Sequence, residues 1–560
     1  MSFLQKANDL YHGIIAKNYF FTAFILLWVY YILLYPCLSY LSEVFAEHGS
    51  NYFYYAYYKS FSENIWQDDA GYLVWLPRLI ALAVSAVSGP YWFIYITNFI
   101  ALACVAFFVS FMNHPGFRGI LQDDRQRFLL SLLLGMIIVP SLEVLSYTNF
   151  SYTGFFFIAF LVFLDKNRLA KPEYIFYSLL CCLLCISKFH FTLFFPIFLA
   201  LIIRSAYKKE WRSALFYLPS MITIMIQILY VLCVSGARET GFVPEFTSIN
   251  SGFISTVMKA ARGLAFWTTA YATHFRFLGG GGKSYAFVSQ ILGMLCMIAL
   301  FYLALINLKN KILSRQSFLF FLFLNFLSIC FGMVSSLSLG SGIKEAFLEN
   351  APYPLGRRWF ISYDMVWLSA VILLLTLRES QKYGHSIFKA GSKLYSVMLL
   401  IFLSLSFCVT FPKIYTSARI PSKNPARISD WKNLSSLLNN EYFFIPVEPY
   451  SWGYRAGIQH RTALAQSFSP LEGAIPVEDS QDKVVSLIVK YPDSEDIYAQ
   501  AYSAEIPCET ARLVSGREIA YKCLVFPKPV SADKIVLFRS DHSMIERVDF
   551  VAVYTFAEEN

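Results

Sequence analysis

Residues Tyr19–Ser42 read YFFTAFILLWVYYILLYPCLSYLS, without a single Asp, Glu, Lys or Arg. A helix needs about 20 mostly apolar residues to cross the hydrocarbon core of a bilayer. This run is long enough. Lys6 and Lys17 precede it and no small-residue cleavage site follows, so it reads as a retained anchor and not as a signal peptide. Working outward, comparable runs occupy Tyr91–Met112, Phe128–Tyr147, Phe150–Leu164, Tyr174–Ile186, Phe191–Ile203, Ala214–Ser235, Ala286–Leu308, Ser317–Leu339, Ile361–Leu377 and Leu394–Phe411. Together they predict about eleven spans, several of them short.

The composition agrees. Of 560 residues, 57% are hydrophobic and only 15% charged, against about 25% charged in soluble proteins. That excludes an ordinary soluble enzyme and any disordered or fibrous class. The aromatic share of 18% suits lipid-facing helices and their interfacial belts. A net charge of +9 is of the sign that nucleic-acid binding needs, but its distribution is not that of a nucleic-acid surface. From Pro412 onward 16 Lys and Arg stand against 19 Asp and Glu, leaving 30 against 18 in the residues before it. The excess sits in short loops: Lys166, Arg168 and Lys171; Arg204, Lys208, Lys209 and Arg212; Lys309, Lys311 and Arg315; Arg378, Lys382, Lys389 and Lys393. The positive-inside rule then makes the N-terminus cytoplasmic. The opposite face receives Glu43–Pro90, Gly236–Tyr285, Gly340–Phe360 and everything after Pro412. Function is expected there, because the cytoplasmic loops are too short to build a site.

The expected division is a membrane portion, residues 1–411, and an extracytoplasmic domain, residues 412–560. In the latter, strand-like runs appear at Tyr442–Val447, Lys483–Val489, Lys534–Phe538 and Val548–Phe556, after a short helix at Asp430–Leu438. The fold class is therefore an all-α polytopic membrane protein with a C-terminal α+β or β-rich domain. Cys508 and Cys523 are the only cysteines of that domain. In an oxidising compartment they are expected to form a disulfide worth about 3 kcal/mol. Cys181, Cys182 and Cys185, within a helix and with no His at ligand spacing, read as packing residues and not as metal ligands. Gly279–Gly282 followed by Lys283-Ser284 reads as a hinge, since no strand precedes it as a phosphate-binding loop requires.

Ionisable groups at membrane depth are costly and mark functional candidates. Asp68 and Asp69 lie in the outer loop 43–90 between aromatic residues and an amphipathic segment. A solvated acidic turn is the alternative reading. Glu143 stands near the outer end of the third run, either as a second acid of a site or as a hydrogen-bond partner of Asn149. Lys188 and His190 interrupt two apolar runs where the chain turns outside, as snorkelling residues or as an anion clamp. Arg357 and Arg358 open the tenth run on the face that the positive-inside rule disfavours, and Arg suits bidentate phosphate recognition. Arg238, Arg262 and Arg276 in loop 236–285 either add to this or are solvated surface. Acids and cations on one face fit chemistry on a lipid-linked phosphosugar.

An Asp–Tyr pair before a Leu-Pro-Arg-Leu segment resembles membrane glycosyltransferases of the GT-C type. These include lipid A aminoarabinose transferases, protein O-mannosyltransferases, oligosaccharyltransferases and serotype-converting O-antigen glucosyltransferases. The resemblance is closest to bacterial GT-C-like membrane proteins with a Gly-Tyr-Leu…Pro-Arg-Leu element, here Gly71-Tyr72-Leu73 and Pro77-Arg78-Leu79. A Glu-Val-Leu…Thr-Asn element is matched by Glu143-Val144-Leu145 and Thr148-Asn149. A polar break before a Pro-containing apolar helix is matched by Ser187-Lys188…Pro196, and an Arg-aromatic pair opening a late span by Arg358-Trp359. The resemblance covers roughly the membrane portion and implies a polyprenyl-phosphate sugar donor, a glycan acceptor such as O-antigen and an inverting displacement. It also implies transfer on the non-cytoplasmic face of a bacterial inner membrane, with Asp69 or Asp68 as catalytic base. Asp68-Asp69 departs from the Asp-Glu pair of the O-mannosyltransferases. The acidic metal site of oligosaccharyltransferases has no clear counterpart, so no metal is predicted. The expected partners are membrane lipids, donor and acceptor, with no nucleic acid. A polysaccharide polymerase or ligase, and a lipid or glycan flippase, are the rival readings.

Overall fold

A computed structural model describes residues 18–39, 48–69, 71–233, 283–338, 361–382, 397–401 and 403–404. In the C-terminal part it describes 443–447, 452–456, 464–468, 471–477, 482–490, 497–503, 506–515, 521–548 and 550–557. Among the described residues the chain is mostly helical before residue 405, and each regular element after it is a strand. The principal helices are α1 (Tyr19–Leu34), α2 (Trp75–Val87), α3 (Pro90–Ser110), α4 (Asp124–Leu133), α5 (Gly154–Phe163) and α6 (Lys171–Cys185). They continue with α7 (Phe195–Tyr207), α8 (Trp211–Cys233), α9 (Lys283–Lys309), α10 (Arg315–Ser338) and α11 (Ile361–Lys382). Among the described residues four helices are long and apolar enough to cross a membrane: Trp92–Asn113, Phe189–Tyr207, Trp211–Cys233 and Ile291–Lys309. Tyr19–Leu34, Trp75–Val87, Phe150–Phe163 and Arg315–Phe331 are shorter apolar helices.

Two expected spans differ in a way the backbone explains. The first helix stops at Leu34, because Pro36 opens a 3-10 turn and its ring cannot continue the hydrogen-bond ladder. The run Phe128–Tyr147 is not one helix. Helix α4 passes into a π-helical turn at Leu134–Ile138, the chain breaks at Pro140, and a short helix Leu142–Leu145 follows. Gly135 in that turn lies so close to α1 that an added Cβ would meet the Leu27 side chain at 2.6 Å.

Packing is dominated by phenylalanine. Phe155, Phe157, Phe191, Phe194, Phe320 and Phe331 are fully buried in one continuous core, where each large ring removes much apolar surface from water. Helices α1 and α3, α6 and α8, α7 and α8, and α10 and α11 are neighbours. Polar bonds pin some of them. Trp28 Nε1 donates to the Phe99 carbonyl at 3.2 Å, and Asn325 Nδ2 donates to Ser369 Oγ at 3.0 Å.

A β-hairpin β1 (Asp68–Asp69) and β2 (Tyr72–Leu73) interrupts the helical part. Near the C-terminus, β3 (Phe443–Val447) pairs with β4 (Trp452–Ala456) and β6 (Leu471–Glu472) with β13 (Arg547–Val548), while β5 (Leu464–Phe468), β7 (Ile475–Pro476), β8 (Asp482–Lys490), β9 (Ile497–Ser503), β10 (Ile506–Ser515), β11 (Tyr521–Val530), β12 (Lys534–Arg539) and β14 (Phe550–Ala557) form one sheet. Its order is β5-β14-β8-β11-β10-β9-β12-β7, antiparallel throughout. Val484, Leu487, Val489, Ala499, Leu537 and Val551 belong to a second core. The strand-like runs expected at Lys483–Val489 and Lys534–Phe538 fall within β8 and β12. The expected disulfide does not form. Cys508 is a free, exposed thiol, and Cys523 stands opposite Ser515 on β10. Seven residues of strand separate Ser515 from Cys508, roughly 23 Å at about 3.3 Å per residue, whereas a disulfide tolerates about 7 Å between Cα atoms. The helix expected at Asp430–Leu438, Arg238, Arg262, Arg276 and the glycines Gly279–Gly282 lie outside the described residues.

Candidate active site

The outer loop builds its acidic hairpin from three local devices. Ser60 caps a short helix, Phe61–Trp66, and Glu63 returns the bond to the Ser60 N–H at 2.9 Å, a capping box. The Ser60 hydroxyl donates to the same carboxylate at 2.6 Å, and with the Ser60 N–H it favours the charged form, so the Glu63 carboxyl lies below its ordinary range. Trp66 and Trp75 then meet edge to face, 5.9 Å between centroids, and close the base of the segment between them. Within it Asp68 pairs with Leu73 and Asp69 with Tyr72. Gly71 takes φ 85° in the turn, a conformation costing other residues about 1–2 kcal/mol.

The hairpin puts both acids inside. Asp68 is 2% exposed and Asp69 3%, so the solvated-turn reading does not hold. A buried carboxylate needs hydrogen bonds, and the loop supplies them. Asn51 Nδ2 donates to Asp69 Oδ1 at 3.2 Å, and the Tyr52 hydroxyl donates to Oδ2 at 3.5 Å. Gln67 Nε2 donates to Asp68 Oδ1 at 3.1 Å. Arg78, from the first turns of α2, is wholly buried. Its guanidinium packs on Tyr52 and Tyr55, 5.4 and 5.2 Å from the ring centres. Its Nη1 donates to the Asn51 carbonyl at 3.4 Å and to Asn64 Oδ1 at 3.5 Å. Asn51 thus joins carboxylate to guanidinium, its amide serving one and its backbone oxygen the other.

Lys188 comes to the same hairpin from the turn between α6 and α7. It is buried, its Nζ donates to the Tyr72 hydroxyl at 3.2 Å, and it lies 5.3 and 5.0 Å from the ring centres of Tyr72 and Tyr152. Since Tyr72 is the partner of Asp69 in the hairpin, cation and acids share one element. His190 is buried one step farther off, between Tyr152 and Phe331 at 5.6 and 4.8 Å. Glu143 is half-buried in the helix Leu142–Leu145, whose N-cap is Ser141. Asn149 instead donates to Thr148 Oγ1 at 3.1 Å and Ser146 Oγ at 3.4 Å. Arg357 and Arg358 lie outside the described residues. Among the described residues no group of three or more His, Cys, Asp and Glu is placed to hold a metal ion.

Several residues that shape the site carry no obvious signal in the sequence. His48 is buried, bonds Thr97 Oγ1 at 2.9 Å through Nε2 and stacks on Tyr147 at 4.6 Å. Tyr147 in turn meets Tyr52 edge to face and donates to the Pro77 carbonyl. Gln227 of α8 bonds both backbone groups of Leu73, at 3.1 and 3.2 Å. Ser187 Oγ accepts the Leu76 N–H at 2.8 Å, one of the donors that the first turn of α2 leaves unpaired. Gln227 is a lone amide inside an apolar run, and Ser187 was visible only as part of the polar break Ser187-Lys188.

Among the described residues outside the hairpin, two charged groups have evident local partners. Arg118 holds Asp124 through two bonds of 3.0 and 2.6 Å and, with Arg127, keeps its carboxyl below the usual range. Burial lowers Lys166 to about 7, and its Nζ donates to the carbonyls of Leu161 and Leu164.

No protein-family model matches the chain, and no curated protein does. Among solved structures, arabinosyltransferase EmbB from Mycobacterium smegmatis aligns over 96% of this chain and 64% of its own. The identity is 11% and the TM-score 0.27, values too low to transfer a fold.

Proposed function

We propose that the protein is a GT-C-type integral membrane glycosyltransferase. It moves a sugar from a polyprenyl-phosphate donor to a surface glycan, such as O-antigen, on the non-cytoplasmic face of a bacterial inner membrane. One observation carries the reading: two aspartates are buried in a hairpin whose Asp69 is held by Asn51 and Tyr52, with Lys188 bonded to the facing Tyr72. Water is excluded and the acid is fixed in place, which general-base catalysis requires.

In this mechanism Asp69 accepts the acceptor hydroxyl's proton as that oxygen attacks the anomeric carbon. The bond from that carbon to the phosphate oxygen breaks, and polyprenyl phosphate leaves with the electron pair. A single displacement inverts the anomeric centre. Lys188, with His190, Arg357 and Arg358, holds the phosphate and offsets the charge that develops on it. Glu143 is the second outer acid, and Asp68, held by Gln67, supports the hairpin. The test is transfer of labelled sugar from polyprenyl phosphate in reconstituted membranes. Asp69→Asn keeps size and one acceptor oxygen, with the Tyr52 hydroxyl able to turn and accept from the new amide, but removes basicity, so the rate is expected to fall by about 10²–10⁴-fold with donor binding retained. Near-normal transfer by Asp69→Asn would sink the assignment.

A further inference from the structure

Helix α8 reaches the acidic hairpin chiefly through Gln227. Gln227 is fully buried, 154 residues from Leu73 in sequence. Its Oε1 accepts the Leu73 N–H at 3.1 Å, and its Nε2 donates to the Leu73 carbonyl at 3.2 Å. A carboxamide presents a donor and an acceptor in one plane, so it stands where a third strand would stand beside β2. One turn along α8, the Tyr230 hydroxyl donates to the Trp66 carbonyl at 3.5 Å, at the other end of the same segment. From α6, Ser187 takes the Leu76 N–H. A two-residue-per-strand hairpin has too few ladder bonds to hold itself. These outside bonds supply what it lacks.

We infer that Gln227 is the positioning residue of the catalytic hairpin: by bonding both backbone groups of Leu73 it fixes the register that sets Asp69 against Asn51 and Tyr52. This rests on the glycosyltransferase reading for its catalytic consequence, but not for the clamp itself. No other side chain substitutes well. Leucine leaves a buried N–H and a buried C=O unpaired. An ionised glutamate has two acceptors and confronts the carbonyl with negative charge, whereas a protonated one restores a donor and an acceptor.

The experiment uses the full chain in nanodiscs and has two arms. Hydrogen–deuterium exchange follows the peptide covering residues 68–76, and labelled-sugar transfer gives kcat and KM. Gln227→Leu is expected to speed exchange there, which reports local opening, and to lower kcat by about 10²-fold through misplacement of the base, with donor KM nearly unchanged. Gln227→Glu is expected to regain wild-type protection, relative to intrinsic exchange, as the pH is lowered. Thr223→Ala is the control. Thr223 Oγ1 lies one turn away and donates to the Cys182 carbonyl at 3.2 Å, so its loss should leave the hairpin protected. The inference falls if Gln227→Leu leaves exchange at 68–76 unchanged, if Thr223→Ala loosens it equally, or if the hairpin loosens while kcat holds. If the wild-type protein transfers no sugar from any polyprenyl-phosphate donor, the proposed function fails, and exchange alone still decides whether Gln227 holds the hairpin.

Discussion

Acidification is expected to loosen the outer loop through His48. The Thr97 hydroxyl donates to the Phe93 carbonyl at 2.7 Å, so its oxygen is left to accept from His48 Nε2–H at 2.9 Å. That bond suits either charge state of the ring; it is burial that keeps the imidazole neutral, by pushing its pKa from 6.5 down to about 3. In the unfolded chain it protonates near its ordinary value. The folded pKa is the lower one, so the unfolded state takes up the proton first as the pH falls. The stability contributed is full above about pH 6.5 and is lost as the pH drops from there toward about 3. At about pH 4.5, roughly two units into that window, the loss is on the order of 2–3 kcal/mol, at about 1.36 kcal/mol per unit. The assay is thermal unfolding in nanodiscs between about pH 8 and about pH 4.5, read by tryptophan fluorescence, for wild type and His48→Gln. Glutamine cannot protonate. Carboxylates titrate in both proteins, so the difference between the two curves isolates His48. His48→Gln should unfold earlier at high pH and lose less on acidification. Parallel curves would refute the neutral buried imidazole.

Gly71→Ala places a Cβ at φ 85° and should destabilise the hairpin by about 1–2 kcal/mol, lowering transfer while donor binding, read by retention of labelled lipid, persists. Cys508 is exposed and free. If the proposed orientation holds, which makes the C-terminal residues extracytoplasmic, a membrane-impermeant maleimide should label it in intact spheroplasts, and Cys508→Ser should remove that label. Labelling only after lysis would overturn the orientation.

The sequence was legible where an apolar run is uninterrupted. The run Ala214–Ser235 became α8, and Ala286–Leu308 lies inside α9. Hydropathy measures composition and not backbone geometry, so it joined α4 to the helix Leu142–Leu145 across Gly135 and Pro140. Strand register was equally invisible. Cys508 and Cys523 look well spaced along the chain, but β10 pairs with β11 so that Ser515, not Cys508, faces Cys523. Asp68, Asp69 and Lys188 stood out because charge is rare among apolar residues. Their supports did not, because each is one uncharged polar side chain. Asn51 is 18 residues from Asp69, and Gln227 is 154 from Leu73. Arg78 was visible within Pro77-Arg78-Leu79, yet its role follows only from where α2 points it.

These supports have a common cause. Putting two carboxylates on a hairpin frees backbone groups that a helix would have satisfied itself, and away from water every such group needs a partner. The partners are the residues that look out of place in their own elements. Gln227 in an apolar helix serves Leu73, Ser187 at the end of α6 serves Leu76, and Asn64 in the short capped helix takes a bond from Arg78. Ser187 also donates to the Leu183 carbonyl, but Gln227 costs its own helix something, since an unpaired amide among apolar side chains is unfavourable. The cost is offset only while the hairpin is in place. The hairpin and its supports therefore stabilise one another, and removal of any single support leaves the buried polar group it served unpaired. On this argument the polar interruptions of α6 and α8 and the acids of the outer loop form one cooperative unit, although nearly the whole first half of the membrane portion separates them in sequence.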